Sequence, residues 1–155
     1  MRPTIILYVC LFLFTSCRKT DNSLNISASV QNNSVLTENP LLMHPLTASI
    51  QPRDSTMSTL YGNDTAFEYA QHHPDAAYPE NAVLYEITWK QKPDEVWFGG
   101  NIPKEIFSVE KLSVTDNNYV YEKFTGNPLQ KVGTGDEEEK LRRHFILSQR
   151  LAVSP

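Results

Sequence analysis

Residues 81–90 read NAVLYEITWK, and the strict alternation in this stretch constrains the fold more than any other feature of the chain. Val83, Tyr85, Ile87 and Trp89 fall on one side of an extended backbone; Leu84, Glu86, Thr88 and Lys90 fall on the other. Successive side chains of a strand point to opposite faces, so β-branched and aromatic residues at every second position predict a half-buried strand. Neighbouring stretches continue the pattern. EVWFGGNIP follows turn residues Pro93 and Asp94, and IFSVEKLSV alternates through Phe107 and Val109. NNYVYEKF supplies a further candidate after the Asp116–Asn117 turn, and Gly99–Gly100 predicts a bulge or a close backbone approach.

Two stretches carry helical signals. GNDTAFEYAQHHPD predicts a short helix, capped by Asn63 or Asp64 and stopped by Pro74. His72 and His73 are adjacent in its last turn, where positive charge favours the helix dipole. Consecutive helical side chains diverge by about 100°, so the pair reads as C-terminal capping rather than as a shared metal site. DEEEKLRRHFILSQR predicts a terminal helix with Asp136 as N-cap and Glu139 at capping-box spacing. Leu141 and Phe145 continue one of its faces, with Leu147 and Leu151 close by. Antiparallel strands with helices at both ends give an α+β domain: an antiparallel sheet with flanking helices.

The amino terminus is an address rather than part of the fold. MRPTIILYVCLFLFTSC has one positive residue, Arg2, followed by an apolar run from Ile5 to Phe14. Ten helical residues span about 15 Å, half the hydrocarbon core of a bilayer, which fits a secretory signal peptide over residues 1–17. The run closes on Thr15 and Ser16 and then Cys17, which resembles a bacterial lipoprotein lipobox with Phe14 in the usual leucine's place. That resemblance implies that Cys17 is lipidated and anchors the protein to a membrane. The plainer reading is an ordinary cleaved signal with an incidental cysteine. Cys10 and Cys17 are the only cysteines, so the rest of the chain has no disulfide, cysteine-ligated zinc or thiol nucleophile.

Residues 18–53 are rich in Ser, Asn and Thr and show no sustained period. Such a stretch buries too little apolar surface to offset chain entropy and is expected to be a flexible tether. LLMHPL, residues 41–46, is an apolar island that could dock, with His44 read as a loop residue. The domain then occupies residues 54–155, since a chain of 155 residues has room for one. A net charge of −4 without a basic stripe excludes a nucleic-acid partner. No G-x-S-x-G elbow occurs, and VGTGDEEE places four carboxylates where a phosphate loop needs none. No catalytic pair and no metal site is specified.

Taken in order, STMSTLYGNDTAFEYA, YPENAVLYEITWKQKPDEVWFGGNIP and SVEKLSV resemble the cytochrome P-460 family over about residues 54–155. The resemblance implies an antiparallel sheet with packed helices, often a homodimer. Haem-bearing members hold haem through a C-x-x-C-H near the carboxyl terminus and a cross-linked strand lysine, and they oxidise hydroxylamine or bind nitric oxide. This chain has no C-x-x-C-H and reads RRHFILSQR where that motif would fall. Glu86 stands nearest the cross-linking position, and Lys90 is the lysine remaining on that strand. The expectation is therefore a lipid-anchored protein of a Gram-negative envelope, facing the periplasm or the outer surface. Its role would be binding or structural, without covalent haem and without enzymatic activity. The alternative is a small haem-dependent oxidoreductase acting on hydroxylamine or nitric oxide, with His144 axial and Lys90 beside the porphyrin. Trp89, Trp97 and Phe98 are candidate linings of a cavity for that or another small, apolar ligand. The plainer reading puts these aromatic residues in the core and His144 on a packed terminal helix.

Overall fold

Every strand of the sheet pairs with the next one along the chain. In the computed structural model, which describes residues 25–30, 35–73, 77–116 and 118–152, the strands are β1 (His44–Gln51), β2 (Thr56–Gly62), β3 (Val83–Pro93), β4 (Asn101–Thr115), β5 (Asn118–Thr125) and β6 (Gln130–Val132). They form one six-stranded antiparallel sheet in the order β1-β2-β3-β4-β5-β6. Helix α1 (Asp64–His72) lies between β2 and β3, and helix α2 (Asp136–Ser148) follows β6. The architecture is α+β.

The alternating strand is β3, but it is buried on both faces rather than one. On the first face Tyr85, Ile87 and Trp89 pack with Val109, Phe124 and Leu129, and with Val30 and Leu36 from the N-terminal segment. On the second, Leu84 packs with Leu60, Leu112 and Val114, and with Ala66 of α1 and Ile146 of α2. Where both sides are covered no solvent reaches the strand, so the buried carboxylate at 86 needs partners.

The N-terminal segment departs from the expected tether. Val30 is 2% exposed, and the Trp89 indole donates to the Ala28 carbonyl at 2.9 Å. Asn39 caps a short 3-10 turn over Pro40–Leu42, and Pro40 is buried. His44–Gln51, also assigned to the tether, pairs along β2 as an edge strand. A few apolar side chains in a polar sequence suffice here because they pack on the cluster of Tyr85, Ile87, Trp89, Val109 and Phe124.

Local caps fix the helices. The Asn63 side-chain oxygen accepts from Ala66 N at 3.0 Å and Val83 N at 3.1 Å, while its amide donates to the Asn81 carbonyl at 2.8 Å. One residue thus starts α1 and ties it to β3. Gly62 lets the helix approach, because a Cβ there would stand 3.0 Å from both Ala66 Cβ and Leu46 Cδ1. His72 reaches the Glu68 carbonyl at 2.8 Å, in keeping with a capping role in the last turn. At α2 the N-cap is Gly135, with no side-chain cap; Asp136 begins the helix proper, so the acidic run acts through the dipole rather than through a capping box. EVWFGGNIP is mostly the β3–β4 turn, with Gly99 at φ +81°, and β4 resumes at Asn101.

Candidate functional site: a polar cavity over a buried carboxylate pair

The face beneath the helices changes character along each strand. Leu84 and Leu112 form an apolar row, Leu60 stands beside Glu86 and Glu110 in the next, and the same face continues to Ser58, Thr88 and Ser108. Helix α2 covers the apolar rows with Ile146, which is fully buried. The polar rows are left to floor an open cavity of about 570 Å³. Thr56, Ser58, Ser108 and Gln51 line it, with Phe107, Phe145 and Lys90 among its walls.

Register places Glu86 directly across from Glu110 on adjacent strands. Like charges so placed repel, and both residues are buried, at 1% and 3% exposure. Arg142 of α2 resolves the conflict. Its Nη2 donates to Glu86 at 2.6 Å and its Nε to Glu110 at 2.8 Å. Tyr121 Oη donates to the same Glu110 oxygen at 2.8 Å, and Gln149 Nε2 donates to the other Glu86 oxygen at 3.2 Å. The guanidinium can serve two carboxylates because its donors are fixed in a planar fork.

Burial still dominates at Glu86. Loss of hydration pushes its carboxyl above the usual carboxylate range, against the attraction of Arg142 and with repulsion from Glu110 adding to the rise. Burial, and then the hydrogen bond it donates to Glu110, likewise push the Tyr121 hydroxyl up, so Tyr121 stays a donor. The floor beyond this network is hydrogen-bonded too. Ser49 and Ser58 hydroxyls meet at 2.8 Å, and Gln51 donates to Ser49 at 2.7 Å. The cavity therefore offers hydroxyls, an amide and carboxylate edges, with Asp54, Lys90, Lys123 and two phenyl rings also in its lining.

The residues singled out from the sequence are dispersed. Lys90 reaches the cavity, its Nζ 4.2 Å from the Phe107 ring centroid. Trp89 lies on the opposite face, in the core. Trp97 and Phe98 stand in the β3–β4 turn, 73% and 109% exposed, and take no part in the cavity wall. His144 is exposed and borders a separate depression with Tyr119, Leu141 and Leu147. Cys17 lies outside the described residues. A haem with His144 axial and Lys90 beside it does not fit this arrangement, since the two side chains open onto different depressions. The cavity floor is moreover a charged pair, not the apolar surface against which a porphyrin packs.

Glu110, Arg142 and Tyr121 carried no functional signal in the sequence. The available hint was phase: Glu86 and Glu110 each sit mid-strand among apolar residues. No protein-family model matches the chain, and no curated protein matches it.

Proposed function

We propose that this is a lipid-anchored protein of the bacterial envelope whose cytochrome P-460-like domain binds a small, polar, uncharged ligand such as a polyol. The observation that carries the reading is the open cavity whose floor is hydroxyl and amide groups beside a carboxylate pair bridged by Arg142. Preset polar groups between aromatic walls are how binding sites orient small ligands. The carboxylates act as acceptors at one end of the site. Arg142 holds them, so neither stands free as a general base.

A panel of sugars, polyols and amines, followed by calorimetry, tests the reading. Ser108→Leu, which fills the floor, should abolish binding of any hit while the protein stays folded. A hit that binds the filled variant equally well places the ligand elsewhere. Haemin titration tests the redox alternative: a Soret band that is lost in His144→Ala would replace the binding role. The anchor is tested separately, because Cys17→Ala should move the protein from the membrane fraction to the soluble one.

A further inference from the structure

The turn between β3 and β4 exposes Val96, Trp97 and Phe98 in succession, at 75%, 73% and 109%. Three large apolar side chains at the tip of a hairpin cannot be accounted for by packing within the domain. The turn is also well fixed. Asp94 accepts from Val96 N at 2.8 Å and Trp97 N at 3.2 Å, and its own amide donates to the Gly100 carbonyl at 2.9 Å.

A second observation comes from the other end of the chain. The Asn25 side-chain amide donates to the carbonyls of Pro103 at 2.8 Å and Lys104 at 2.9 Å, close below the tip of this same hairpin. Ala28, three residues on, is held by Trp89, and Val30 is buried, so the chain enters the fold at a fixed place. The β3–β4 ladder ends at Asn101, two residues or about 7 Å beyond Pro103. Cys17 precedes Asn25 by eight positions, which reach at most about 28 Å whatever their conformation.

From these two observations we infer that Val96, Trp97 and Phe98 insert into the interfacial region of the bilayer that holds the lipid at Cys17. The inference rests on the anchored reading above. A short leash fixed close below the hairpin tip holds that tip within reach of the membrane, and indole and phenyl rings favour the headgroup boundary. Charge plays little part. Asp94, Glu95 and Glu105 are offset by Lys90, Lys92 and Lys104 on the same hairpin, so contact should be apolar and insensitive to salt. The wedge would fix the orientation of the domain rather than add much to anchoring, which the acyl chains already supply.

The test uses the full lipidated chain reconstituted in neutral phosphatidylcholine vesicles with brominated acyl chains. Brominated lipid should quench most of the emission contributed by Trp97, and aqueous iodide should quench it little. Trp97→Phe should remove the lipid-quenched component, because Trp89 is buried in the core. A chain that floats with vesicles but keeps Trp97 open to iodide overturns this inference and leaves the anchor intact. Shielding from iodide without quenching by brominated lipid also overturns it, and points to a second copy covering the tip. A chain that fails to float overturns the anchor and the wedge together.

Discussion

Arg142 is the single residue on which the buried network depends. Removing one partner of a buried ion pair leaves an uncompensated charge, and here it would leave two carboxylates facing each other. Arg142→Met should therefore cost about 3 kcal/mol in urea unfolding at neutral pH. Glu86 behaves in the opposite sense. Its carboxyl is raised in the folded state, so its contribution is fully present below the unfolded value of 4.5 and lost as pH rises through the folded value. Glu86→Gln removes that loss and keeps an acceptor for Arg142. Its melting temperature should gain on the wild type as pH climbs from below 4.5 to neutrality. A constant gap across that range would mean that Glu86 does not titrate as burial implies.

Among the elements, β3, β4, β5 and both helices were legible, because each carries its own period or cap, whereas β2 was not read as a strand. NAVLYEITWK, IFSVEKLSV and NNYVYEKF became β3, β4 and β5, and Asn63 caps α1. What eluded the sequence was non-local. Alternation cannot tell a half-buried strand from one covered on both sides, since the second cover, over Leu84 and Glu86, comes from Ala66 and Ile146 of the two helices. The burial of Glu86 depends on an arginine 56 positions away, which no local pattern encodes. The edge strand β1 has Pro45 and an interrupted register, and so lacked a strand signature. Two substitutions test the element contacts by chemical denaturation. Asn63→Ala should cost about 1–2 kcal/mol through the lost cap. Gly62→Ala should cost about 1–3 kcal/mol, because the added methyl pushes α1 off the sheet.

At the scale of the molecule, the sheet is a partition with unlike covers: helices and an open cavity on one side, the N-terminal segment on the other. The stretch expected to be only a tether is thus part of the fold from Asn25 onward wherever it is described. Val30→Ser should destabilise by about 2 kcal/mol, as a core substitution does, and calorimetry would register it as a lower melting temperature. An unchanged melting temperature would return that segment to the status of a tether.

The bridging guanidinium has one more consequence. In electrostatic terms the last helix is the counter-ion of the sheet, delivered by the chain itself. A cationic guest entering the cavity would compete with Arg142 for Glu86 and Glu110 and loosen the C-terminal helix. A neutral guest would leave that helix seated. Hydrogen exchange along residues 136–148 would therefore report the charge of whatever the cavity holds.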